Sequence, residues 1–223
     1  MTSSAGRLDN FTDAAFAFAL SLLVIGRGEI PTTDVELLSA MADLPAFAIG
    51  FAILGMFWHG HVRWRAYRGE GGLLSVALTF ALVFLVLVYV QPLQAMSASF
   101  STFLGGQGTR FSGDLGTMFA IYGAGFSGMA AVMAALLWDA ERDPDATDLV
   151  RSAARGEKFI WLILVATGLV STLLSLNEAT APFGPFVYPT LPIAVGLFVW
   201  RYPWEGRAKP DAPAEPDRSQ VAE

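Results

Sequence analysis

The sequence predicts an all-α integral membrane protein, a bundle of six helices with both termini cytoplasmic. Composition is the first reason: 54 % of the 223 residues are hydrophobic and 15 % charged, at a mean hydropathy of +0.50. An average soluble domain carries about 25 % charged residues. Length is the second, since six apolar stretches approach the ~20 residues that a helix needs to cross a bilayer. Charge is the third, because cations gather in alternate connections, as the positive-inside rule requires.

The first span covers residues 10–26. No small-residue cleavage site follows it, so it reads as a retained helix and not a signal peptide. The others cover 45–63, 73–91, 115–138, 159–176 and 186–200. Pro189 and Pro192 interrupt the sixth, which is expected to kink or to begin late, because proline frees backbone carbonyls that neighbours must satisfy. Arg63, Arg65 and Arg68 follow the second span, and Arg142, Arg151, Arg155 and Lys158 follow the fourth. Arg201, Arg207, Lys209 and Arg218 follow the sixth. The intervening connections hold only Arg27 and Arg110. That alternation predicts a multi-pass protein of the cell membrane.

The connections otherwise read simply. The first outer one carries Glu29, Asp34, Glu36 and Asp43, with a short helix expected from Thr33. Residues 97–113, rich in Ser, Gly and Thr, read as a flexible outer connection. Residues 139–148 are acidic, punctuated by Pro144, and read as a solvated inner loop needing no partner. Residues 1–204 thus make one transmembrane domain, and the Pro-, Ala- and charge-rich segment 205–223 a disordered cytoplasmic tail.

Several function classes are disfavoured. A net charge of −6 provides no basic field for nucleic acid. With no cysteine there is no disulfide, thiol catalysis or thiolate metal site. His59 and His61 stand about 200° apart on a helix, so both rings cannot reach one metal ion. No nucleophile–base spacing or phosphate-cradling loop is present, so no enzyme and no cofactor are expected. The glycines of Gly123-x-Gly125-x-x-Gly128 lie in mid-helix and read as close helix packing. Trp58, Trp64, Trp138, Trp161 and Trp200 fall near the inner helix ends, as an interfacial aromatic belt does.

One stretch stands apart. Arg7-Leu-Asp-Asn-Phe-Thr-Asp13 runs into the apolar Ala14–Ile25, placing charges where they cost roughly 2.5–3.5 kcal/mol each near a helix centre. Such charges mark either a functional cluster or groups that snorkel to the headgroups. Asp13 and the Phe57-Trp-His-Gly-His61 segment share a depth, so an Asp–His or Asp–Arg contact is one way to satisfy them. Five, nine and twelve residues beyond Asp13 stand Phe18, Leu22 and Ile25, on one stripe of the helix. That ridge is either a packing or lipid face, or a hydrophobic constriction of the kind that gates by dewetting.

Arg7-x-x-x-Phe11-Thr12-Asp13 resembles the Arg-x-x-x-Phe-Ser-Asp signature of the transmembrane protein 175 family of potassium channels. The helix that follows is similar to that family's first, and Phe57-Trp58-x-x-His61 to its second-helix segment. Tyr89-Val-Gln-Pro92, Tyr122 and Leu137-Trp138 fit less specifically. The resemblance implies a homotetramer of six-helix subunits in the lipid bilayer, with helix one lining a pore for potassium ions. It implies stacked constrictions at Phe18, Leu22 and Ile25. Arg7, Phe11, Thr12, Asp13, Trp58 and His61 then form the polar signature that supports the pore, and none is an ion ligand.

Three departures from that pattern stand out: Thr12 for Ser, Phe18 for a branched aliphatic, and Gly26-Arg27 for an acidic helix exit. The expected function is passive potassium leak. The rivals are a non-conducting structural or binding member of the fold and a small secondary transporter, which needs inverted repeats and broken helices near the midplane.

Overall fold

A computed structural model describes residues 4–25, 32–42, 44–69, 71–104 and 113–202. The described residues are helical throughout, without a strand. The helices are α1 (Ser4–Ile25), α2 (Asp34–Ala42), α3 (Leu44–Arg68), α4 (Leu73–Leu104), α5 (Leu115–Glu141), α6 (Asp148–Ser175) and α7 (Leu191–Arg201). A 3₁₀ segment, Ala181–Thr190, leads into α7. Among the described residues four segments are long and apolar enough to cross a membrane: Leu73–Met96, Leu115–Glu141, Asp148–Ser175 and Ala181–Arg201. The tail 205–223, Arg27 and Arg110 lie outside the described residues.

Local chemistry starts these helices. The α2 helix opens on a capping box, in which Thr33 Oγ1 accepts the Glu36 N–H at 3.2 Å and Glu36 Oε2 accepts the Thr32 N–H at 2.8 Å. Asp114 caps α5 and Thr147 caps α6 through their side-chain oxygens. Between α3 and α4 the chain turns on Gly69 and Gly71, at φ +62° and +66°, where a side chain is strained. The sixth span begins late: a 3₁₀ segment holding Pro185 and Pro189 gives way to an α-helix at Leu191. Proline cannot donate to an α-helical ladder but fits its first turn, where Pro192 sits.

Residues 97–104, expected in an outer connection, are helical instead. The α4 helix passes Pro92 without ending. A proline inside a membrane helix costs one ladder bond and need not break it.

The core is centred on α5, which packs against α3, α4 and α6. Gly123 and Gly168 let α5 and α6 touch backbone to backbone, since a Cβ on Gly123 stands 2.9 Å from the Gly168 carbonyl oxygen. Ser127 closes the seam by donating to the Val165 carbonyl at 2.9 Å. The Phe57 ring packs on Phe126 at 5.7 Å and on Trp161 at 5.1 Å. Trp64 (0 % exposed) and Trp161 (6 %) are therefore core residues and not belt residues. Both point toward the neighbouring helices, where burial of a large ring outweighs its interfacial preference.

One end of the bundle is charged. Arg65 Nε meets Asp9 Oδ1 at 2.6 Å, and Arg68 bonds Asp139 at 3.0 Å and Asp143 at 2.8 Å. Arg63 and Tyr67 converge on Glu157, and Arg155 and Lys158 share Glu141. The acidic connection is thus not free of partners. Asp139 also accepts the Ser75 hydroxyl at 2.6 Å, because α3 ends on arginines directly beside it.

Candidate functional site

The site is built on α1, which packs against α3 and α4. Thr12, Phe16, Ala19 and Leu23 recur at helical spacing and are buried, forming its inward face. Asn10, Ala14, Ala17, Phe18, Ser21 and Val24 recur on the other side and are exposed. The outer face is mostly small, and Phe18, at 57 % exposure, is its largest side chain beyond Phe11.

Polar anchors hold this rotation. Near its start, Asp9 accepts Arg65 in the last turn of α3, so the acid sits toward a helix N-terminus and the cation toward a C-terminus. One turn on, Asp13 Oδ1 accepts the indole N–H of Trp58 at 2.8 Å. At the far end, Gln94 of α4 donates to the Leu22 carbonyl at 2.6 Å, tying α1 to α4. Asp9 and Leu22 are thirteen residues apart, or about 20 Å of helix. The helix is pinned at both ends.

The expected site residues fall out as follows. Arg7 is exposed, with no polar partner among the described residues. Phe11 packs on Phe80 of α4 with ring centroids 5.2 Å apart. Thr12 is fully buried and turns its hydroxyl back to the Leu8 carbonyl at 2.9 Å, reaching no second helix. The partner of Asp13 is Trp58 and not a histidine or arginine. His61 is buried and meets Thr79 of α4 at 3.3 Å, with its ring 5.1 Å from that of Trp64. His59 is exposed on another face of α3.

Of the ridge, Phe18 is exposed while Leu22 is half-buried and packs against the core. The side chain of Ile25 lies outside the described residues. Asp9, Arg65, Thr79 and Gln94 were not singled out from the sequence. For the last two a signal existed: a lone polar side chain in an apolar span must find a partner.

Residues 7–92 match the family model described as "Endosomal/lysosomal potassium channel TMEM175". A Marivirga tractuosa protein named "Potassium channel" is 35 % identical over 100 residues, covering 45 % of this chain and 40 % of that protein. The fold is similar to a crystallised variant of the potassium channel MtTMEM175 in complex with a nanobody–MBP fusion protein. That likeness has a TM-score of 0.74 at 25 % identity, over 88 % of this chain and 94 % of the other.

Proposed function

We propose that the chain is a potassium-permeable leak channel of the TMEM175 family, a reading supported by the match of residues 7–92, by the likeness to the MtTMEM175 fold and by four segments long and apolar enough to cross a membrane. Six spans place both termini in the cytoplasm, and four copies surround an axis lined by α1. Potassium passes down its gradient through a hydrophobic constriction at Phe18, Leu22 and Ile25. No Thr-Val-Gly-Tyr-Gly-like segment is present to form a carbonyl filter, so discrimination falls to the width and wetting of that constriction.

The observation that carries this reading is the division of α1 into two faces. Its inward face is locked to α3 and α4, while the small outer face with Phe18 has no cover among the described residues. A helix held so firmly, with its other side open, suits self-association around an axis. Asp13 and Trp58 then act as supports of the helix and not as ion ligands.

The test is potassium flux into liposomes holding purified protein, with sodium and a large organic cation as comparisons. Potassium-selective flux is expected. Silence from protein shown to be tetrameric assigns it instead as a non-conducting member, closed by the four Phe18 rings.

A further inference from the structure

At the charged end of the bundle α6 and α7 diverge and leave a cleft of about 590 Å³. Ser152, Arg155 and Phe159 of α6 line it together with Phe198 and Arg201 of α7 and the adjoining Tyr202. The walls form a run of neighbouring, tilted rings, Phe159 to Phe198 at 6.1 Å and Phe198 to Tyr202 at 5.5 Å. No acid is among the lining residues.

Charge there is unbalanced. Arg155 gives its Nε to Glu141 at 2.7 Å and keeps both Nη groups without a partner among the described residues. Lys158 shares the same carboxylate. Arg201 has an aromatic neighbour, the Tyr202 ring at 5.9 Å, and no acidic one among the described residues. Two cations thus share the Glu141 carboxylate, and Arg155 and Arg201 border the cleft. The cleft also opens along an apolar surface: both α6 and the segment Ala181–Arg201 are long and apolar enough to cross a membrane, and the latter is almost unburied within the subunit.

We propose that this cleft binds the headgroup of an anionic phospholipid, its phosphodiester between Arg155 and Arg201 and its acyl chains along Phe159 and Phe198. Paired guanidiniums hold a phosphate through charge-assisted hydrogen bonds. Basic pockets between membrane helices near a surface are where acidic headgroups dock. The excess cation disfavours a zwitterionic lipid, and the aromatic walls favour a lipid over a soluble anion. The assignment rests on reading α6 and α7 as membrane spans.

The test is native mass spectrometry of the detergent-solubilised full chain, titrated with phosphatidylglycerol or with phosphatidylcholine of the same chains. Wild type is expected to retain phosphatidylglycerol about tenfold better. Arg155→Gln and Arg201→Gln each remove that preference, Arg201→Lys keeps much of it, and Arg142→Gln, outside the cleft, leaves it unchanged. Inorganic phosphate does not displace the lipid. Equal retention of the two lipids, a preference indifferent to both Gln variants, or displacement by equimolar phosphate overturns the proposal. Flotation with liposomes separates the premises: protein that floats but shows no lipid preference refutes the cleft alone, and protein that does not float refutes the membrane reading beneath it.

Discussion

The indole N–H of Trp58 donates to Oδ1 of Asp13 at 2.8 Å, joining α1 to α3 across 45 positions of sequence. Removing the donor leaves a carboxylate beside apolar surface without its partner. Trp58→Phe, which keeps most of the ring, is expected to cost about 1–3 kcal/mol of stability. Asp13→Asn keeps an acceptor at the same place and should cost less. Thermal unfolding in detergent, followed by size-exclusion fluorescence, checks both. Equal melting of Trp58→Phe and wild type means that the bond does not hold α1.

Phe18 and Leu22 share the ridge but not its environment. Phe18 is exposed, so Phe18→Ala should change stability by no more than about 0.5 kcal/mol. Leu22 packs partly into the core, so Leu22→Ala should cost about 1–2 kcal/mol, below the ~2–5 of a fully buried leucine. Both truncations widen the proposed constriction and are expected to raise potassium flux into liposomes. Unchanged flux in both variants places the ion path away from α1.

Asp9 and Arg65 form a two-point contact, Nε to Oδ1 at 2.6 Å and Nη2 to Oδ2 at 3.2 Å. Arg65 is the more buried partner, at 12 % against 39 % side-chain exposure. Losing Asp9 therefore leaves a largely desolvated cation with the Gly69 carbonyl as its remaining acceptor, whereas losing Arg65 frees an acid that water reaches. Asp9→Ala should destabilise more than Arg65→Ala, and the double variant should recover about 1 kcal/mol relative to the sum. Additive losses in that cycle show that the pair does not couple.

Asp114 caps α5 with its carboxylate held below the usual range, first by the Thr117 hydroxyl and then by the Thr117 and Gly116 backbone N–H groups. A lowered folded value means that the cap stabilises the protein above the ordinary carboxylate pKa of about 4 and is lost as pH falls through the lowered value. Amide exchange at Gly116 and Thr117 should accelerate in that acid window. Asp114→Asn, which still accepts those bonds, should abolish the pH dependence while leaving exchange slow at neutral pH.

What the sequence made legible follows from which properties are local. Apolar run length announces spans, and Pro189 and Pro192 announce the late start of α7, because both act through the backbone around them. Helix rotation is not local. Trp64 and Trp138 sit at comparable helix ends, yet Trp64 is buried and Trp138 is 39 % exposed, since only the fold decides which side meets a neighbour. The same limit hid the ion pairs. Arg65 and Arg68 marked an end of a span, and nothing in their spacing named Asp9, Asp139 or Asp143 as partners. The ridge was legible as a stripe, but that Phe18 stands open while Leu22 leans inward depends on how α4 holds the helix through Gln94.

The glycines of α5 and α6 offer a test with its own control. A Cβ on Gly168 meets Ser127 Oγ at 2.4 Å and the Gly123 carbonyl oxygen at 2.9 Å, and backbone cannot move aside as a flexible side chain can. Gly168→Ala must therefore part α5 from α6 and is expected to cost about 1–3 kcal/mol. At Gly128 the nearest atom is Leu85 Cδ1 at 3.7 Å, an ordinary contact. Gly128→Ala should be neutral or stabilising by about 0.5–1 kcal/mol, because alanine loses less conformational freedom in a helix. Melting temperatures of the two variants should fall on opposite sides of wild type or nearly so. Equal tolerance at both sites means that the α5–α6 seam is looser than these distances require.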